Sequence, residues 1–248
     1  MTKISEIVDL LEQIAPLSSQ EDWDNSGWQV KLKNNNVKKA MLALSVTSDT
    51  VKQAISKECE LLITHHPLIF GDLKVIDENK LVGEIITLAT QNNLSIYSSH
   101  TSLDVAKGGT RDTLAKVLKM KNVKIQQKYL AIGELENEMP IDEFILFVKK
   151  VLNVKNISLI NQPNITKIKK IAICAGSGGD FIGNLDDVDL FLSSDIKYHQ
   201  TIEATKFAVI DAGHLETERI VLPELKVLLS NAEIDVFIAD EKNLVNIC

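Results

Sequence analysis

The chain has 248 residues, enough for one large or two modest domains with a sizeable core. Hydrophobic residues make up 45% and charged residues 25%, which argues against disorder and against a fibrous architecture. The formal charge of −7, with 34 acidic against 27 basic side chains, disfavours a nucleic-acid partner, and Lys167, Lys169 and Lys170 read as a solvated edge.

Ile4, Ile7, Val8, Leu11 and Ile14 recur at helical spacing and predict an amphipathic helix that Pro16 ends. Glu6, Asp9 and Glu12 among them do not fit a signal peptide, and no apolar run approaches the roughly 20 residues that span a bilayer. Cys59, Cys174 and Cys248 are isolated thiols without CxxC spacing, which fits a reducing cytoplasm better than a disulfide framework or a zinc knuckle. EDWDNSGWQV, residues 21–30, reads as a polar turn between two tryptophans followed by a strand.

From Lys38 the pattern alternates. KKAMLALSV, ELLIT and LSIYSS read as buried strands, with helices at Ser48 to Lys57 and Lys80 to Asn92 between them, a βαβαβ succession that implies a mostly parallel sheet. Gly108 and Gly109 open a helix from about Thr110 to Leu118. After a polar stretch near Glu134 to Glu138 the theme returns, with a helix at Ile141 to Leu152 and strands at KKIAICAG, DLFLSSD and KFAVIDAG. A helix over Leu225 to Leu229 and a strand at IDVFIA close the chain. The expected fold is α/β, in two α/β domains covering 1–125 and 126–248, with the last helix and strand free to pack back on the first. KKAMLALS, ELLITHHP and LSIYSSHTSLD echo KKIAICAG, DLFLSSD and KFAVIDAGHLETE in order, through either a shared fold or chance likeness of buried strands.

The five histidines, His65, His66, His100, His199 and His214, all fall at or just past predicted strand ends, where ligand crevices form in open α/β sheets. Pro67 biases His66 towards an extended backbone, so the paired imidazoles diverge and suit two neighbouring cations better than one; capping of a strand end is the alternative. HTSLD and HLETE each set a carboxylate four residues after a histidine, sharing a face if the turn is helical: His100 with Asp104, His214 with Glu218. Such donors suit zinc, iron, manganese or nickel rather than calcium, and no HExxH, GxSxG or P-loop motif competes. AGSGGDFIG, residues 175–183, offers either an anion cradle or a tight strand-to-helix turn. SSDIKYH adds Asp195, Lys197 and His199, which could orient a substrate or move a proton; His199 could equally be a capping histidine.

WDNSGWQV, THHPLIF, HTSLDVAKGGTRDTLAKVL, CAGSGG, SSDIKYH and GHLETE, in this order, resemble the YbgI-like family of dinuclear-metal hexameric proteins, often labelled GTP cyclohydrolase I type 2 homologs. The resemblance implies metal ligands at His65, His66, Asp104, His214 and Glu218 and pocket histidines at His100 and His199. It further implies two divalent cations per chain, a toroidal homohexamer and the short form of the fold without an inserted domain. Ser102, Ser194 and Leu215 stand where the family commonly has Asn, Gly and Tyr. The reaction that follows is metal-dependent hydrolysis, with Glu218 as bridging ligand, His100 or His199 as acid or base, and a nucleotide such as GTP as substrate. A metal-binding hexameric regulator or scaffold without turnover is the alternative.

Overall fold

A computed structural model describes residues 2–244, so Cys248 lies outside the described residues. In chain order the elements are β1 (Thr2–Lys3), α1 (Ile4–Ile14), β2 (Gly27–Val30), β3 (Asn36–Val37), β4 (Lys39–Ala43), α2 (Ser48–Ser56), β5 (Leu61–Thr64), α3 (Leu81–Gln91), β6 (Ser95–Ser98) and α4 (Thr101–Val105). There follow α5 (Thr110–Val117), β7 (Lys121–Ile125), β8 (Ala131–Pro140), α6 (Ile141–Leu152), β9 (Ser158–Ile160), β10 (Lys167–Ser177), β11 (Leu190–Ser194), α7 (Tyr198–Glu203), β12 (Ala208–Asp211), α8 (His214–Glu218), α9 (Val221–Leu228) and β13 (Asp235–Ile238).

The chain forms two compact units, the first from residues 2–107 and Val221–Leu244, the second from Gly108–Ile220. The break therefore falls at Lys107 and Gly108, not near residue 125, and the second unit ends at Ile220. The reason is packing: Leu114, Ala115 and Leu118, in and just after α5, belong to the core of the second unit with Phe144 and Ile171. The polar stretch at Glu134 to Glu138 lies within β8, where Leu135 joins the core and residues 136–138 are exposed.

The first unit is built on a sheet ordered β13-β4-β5-β6-β2, parallel except for β2, with β1 and β3 paired in a separate antiparallel ribbon. Alternation along the strands loads both faces. Ala40, Leu42, Leu61, Ile63 and Tyr97 pack under α1 and α9, while Met41, Ala43, Leu62 and Ile96 pack under α2 and α3. Strands buried on both sides explain the nearly continuous apolar runs of the sequence. Thr47 starts α2 by accepting a hydrogen bond from the Thr50 N–H.

The second unit carries the sheet β7-β8-β10-β11-β12-β9, in which β10, β11 and β12 are parallel and the flanking strands antiparallel. Ile171, Ile173, Leu190, Leu192 and Ile210 pack against α5 and α6; Ala172, Cys174, Phe191 and Val209 pack against Ile182, Leu185 and Phe207. Asn153, left-handed at φ 53°, ends α6. The fold is mixed α/β in both units, as the alternating pattern implies. Lys167 and Lys170 pair with Glu138 and Asp187, which makes that basic stretch an edge neutralised by its neighbours. Among the described residues no helix is long and apolar enough to cross a membrane.

Cys59, beside β5, is buried, and that burial together with Glu60 pushes its thiol up to about 11. At pH 7 to 8 the thiolate is then a very small fraction of the population and the sulfur is shielded. Cys59 should remain unmodified by a thiol reagent in the native protein and react when denaturant exposes it, as peptide mass mapping would show; rapid native labelling of Cys59 would contradict the burial.

Candidate metal centre

In the first unit His65 and His66 follow β5, and His100 lies just beyond the neighbouring strand β6 and caps α4. Parallel pairing of β5 with β6 brings these strand ends together. The ring centroids are 5.0 Å apart for His65 and His66, 5.2 Å for His65 and His100, and 5.5 Å for His66 and His100. One ring nitrogen from each lies within 4.8 Å of the others, so this trio could hold a metal ion. Asp104, in α4, places Oδ1 3.4 Å from His65 Nε2.

Each imidazole is held by its other nitrogen. His65 Nδ1 lies 2.9 Å from the Ser99 carbonyl oxygen, which can only accept, so Nδ1 carries a proton and Nε2 is the nitrogen left for a metal. His100 Nδ1 lies 2.8 Å from Asp24 Oδ1 and fixes the same tautomer. His66 Nδ1 pairs with Ser45 Oγ at 2.9 Å, and the Ser45 backbone is fixed in turn by Glu241, whose Oε1 accepts its N–H at 2.9 Å. Partners of this kind aim imidazoles at a metal and set their tautomers.

Asp24 does more than hold one ring. Its Oδ2 accepts from Ser26 Oγ at 2.8 Å, from Thr101 Oγ1 at 2.5 Å and from the Thr101 N–H at 3.1 Å, and Oδ1 also takes the Asn25 N–H at 2.8 Å. Burial would raise its pKa, yet the hydrogen bonds from His100, Thr101 and Ser26 outweigh it and hold the carboxyl well below the usual range. WDNSG is thus a bracket for His100 and the start of α4, a role its turn-like sequence does not declare.

The second unit repeats the device. His214 opens α8 and Glu218 closes it, and at helical spacing the two share a face, with Nε2 of His214 3.0 Å from Glu218 Oε2. His214 Nδ1 lies 2.7 Å from Asp195 Oδ2, beyond the end of β11. Burial alone would lower the His214 pKa; Glu218 and Asp195 override it and raise it to about 9. Two carboxylates around one imidazole form a place that stabilises added positive charge, the property a cation site needs.

Glycines let the backbone reach this carboxylate. Gly176, at φ 64°, ends β10 so close to α8 that a Cβ there would stand 2.0 Å from Glu218 Oε1 and 3.3 Å from His214 Nε2. Its N–H goes to Thr217 Oγ1 at 3.0 Å, which ties α8 to the sheet. A Cβ at Gly178 would strike Ser193 Oγ at 2.2 Å, and one at Gly179 would strike Gln200 Oε1 at 2.1 Å. Of the two readings of AGSGGDFIG, the tight turn is what this packing fits, since its glycines face the chain's own side chains.

His199 lies on α7, exposed, one residue before Gln200, whose amide holds Asp180 at 2.8 Å. Ser102 and Ser194 are fully buried, and Ser102 Oγ lies 3.3 Å from Ser99 Oγ beneath the histidine trio. Ser45, Ser99 and Glu241 escaped sequence reasoning because they carry no motif; their role comes from strand register and chain return.

Both units therefore end three consecutive parallel strands with a histidine, a short helix and a carboxylate four residues on. The chain belongs to the Duf34/NIF3 (NGG1p interacting factor 3) family, whose model matches residues 2–243. It is 37% identical over 243 residues to a Campylobacter jejuni protein named GTP cyclohydrolase 1 type 2 homolog, covering 97% of this chain and 98% of that one. A Staphylococcus aureus hypothetical protein of known structure matches with a TM-score of 0.90 at 26% identity, over 100% of this chain and 99% of that one. The solved structure of the protein ybgI shares the fold at a TM-score of 0.90 and 22% identity, over 98% and 100% of the two chains.

Asp24→Asn keeps the size of the side chain but removes the charge that fixes the His100 tautomer. It should weaken zinc binding measured by calorimetry roughly 10- to 100-fold with the far-ultraviolet dichroism unchanged. Wild-type affinity in a folded Asp24→Asn protein would show that the bracket is not part of the metal site.

Proposed function

We propose that the chain is a metal-dependent hydrolase. His65, His66 and Asp104 from the first unit and His214 and Glu218 from the second are the proposed ligands of two divalent cations. Zinc, iron, manganese and nickel all suit this imidazole and carboxylate set. The observation that carries the reading is the common pattern of the histidines: His65, His100 and His214 each commit Nδ1 to an oxygen that can only accept, and His65 and His214 each have Nε2 beside a carboxylate. Polar side chains capping a strand end have no need of so uniform an orientation. When bound, such cations supply Lewis acidity and make a water acidic enough to ionise near neutral pH.

The chain's own groups bind, orient and move protons. Glu218, buried and closely approached by Gly176, is a carboxylate whose position the backbone fixes. His100, oriented by Asp24, is the proposed acid or base at Nε2, and His199 on α7 is the second candidate for that proton. The substrate class proposed is a nucleotide, with GTP first, in line with the name carried by the Campylobacter relative. A toroidal homohexamer in the cytoplasm completes the reading: the resemblance of the sequence motifs to the YbgI-like family implies the assembly, and the isolated thiols suit the compartment.

GTP turnover should vanish on chelation and return when one of the four cations is restored. Glu218→Gln should lower it by about a hundredfold or more without changing the native mass. Metal-stimulated turnover that Glu218→Gln leaves untouched would sink the mechanism. Tight metal binding without turnover on nucleotide and phosphoester panels would leave the non-catalytic regulator as the function.

A further inference from the structure

Two large aromatic side chains stand exposed beside the histidine trio of the first unit. Trp23 is 64% and Phe70 59% exposed, although most apolar side chains of this unit are buried. Both meet His100 edge to face: the Trp23 ring at 6.0 Å and 75°, the Phe70 ring at 5.9 Å and 89°. Neither lies parallel on the imidazole, so neither is stacked on His100, and both stay more than half exposed.

The two rings come from segments that are pinned to each other. Asn25, two residues after Trp23, donates its side-chain amide to the Ile69 carbonyl at 2.9 Å. Gln29 Oε1 accepts the Ile69 N–H at 3.0 Å, so the residue before Phe70 is held on both backbone groups. Asp24, next to Trp23, is the group that fixes His100. The rings are therefore set on a braced backbone at the rim of a polar cluster.

We propose that Trp23 and Phe70 hold a flat aromatic heterocycle and present its polar edge to His100. The chemistry of the rim selects this class. Exposed aromatic rings favour a flat conjugated ring whatever its sequence of heteroatoms, as in base stacking on aromatic side chains. His100, whose Nδ1 is taken by Asp24, has Nε2 for a ring nitrogen or an exocyclic group, so an aliphatic chain would use only half of the site. Trp23 and Phe70 are positioning residues in this scheme. The inference names the side chains that would hold the ring of the proposed hydrolase's nucleotide substrate and rests on that reading.

The test is equilibrium binding to zinc-loaded protein by calorimetry, with guanosine, adenosine and GTP as flat-ring probes and ribose 5-phosphate and inorganic triphosphate as ring-free ones. The flat-ring compounds should bind more tightly than ring-free compounds of like charge. Trp23→Leu and Phe70→Leu should each weaken flat-ring binding about tenfold or more, with triphosphate binding, zinc content and native mass unchanged. No preference for flat rings in the wild type, or wild-type guanosine binding in both variants, would overturn the inference. So would a change of native mass, which would make the rings subunit contacts. Ring binding that persists without any turnover would keep this inference and remove the hydrolase reading, so the two fail separately.

Discussion

The structure depends on one kind of bond, the hydrogen bond from an imidazole Nδ1–H to a fixed oxygen. His65 donates to the Ser99 carbonyl, His100 to Asp24 and His214 to Asp195. Each bond removes a rotational freedom and a tautomer, and so turns a mobile imidazole into an oriented donor. The oxygens are themselves held by the fold. Ser99 follows β6, whose register against β5 sets the distance, and Asp24 is bound by Asn25, Ser26 and Thr101.

Such bracing is costly unless every partner is satisfied, because unpaired polar groups in a buried setting are destabilising by about 1–3 kcal/mol each. The fold meets this with hydroxyls. Thr64 and Ser98 pair at 2.7 Å, and Thr64 also donates to the His66 carbonyl at 2.9 Å. Thr217 accepts the Gly176 N–H and donates back to the first turn of α8. The serine- and threonine-rich strand ends flanking the histidines are thus the support that lets apolar sheets carry polar ends.

Much of this was readable from the residues. The apolar runs reported strands buried on both faces, and the four-residue spacing from His214 to Glu218 reported a shared helical face, which α8 provides. Histidines at strand ends pointed to the first cluster. What escaped were features whose cause lies far along the chain. The β7 and β8 hairpin is largely polar, so the sequence pattern assigns no strand there, and α5 falls in the wrong unit because a short helix does not announce which core it covers. Asp24 looked like a turn residue; only the fold brings it to His100, 76 positions away. The glycines at 176, 178 and 179 fitted two readings until their neighbours were known.

The repetition between units gives the echo in the sequence a structural form: β4-β5-β6 and β10-β11-β12 are both consecutive parallel strands, followed by α4 and α8 with their His and carboxylate pairs. The central claim is that Asp104, His214 and Glu218 from these pairs, with His65 and His66, are metal ligands, and metal content per chain tests it most directly. Elemental analysis of protein purified without chelators should find close to two divalent ions per chain in the wild type and markedly fewer in Glu218→Ala, with the native mass of the two alike. Little metal in the wild type, or equal metal in both, would contradict the account and assign the oriented histidines to another task.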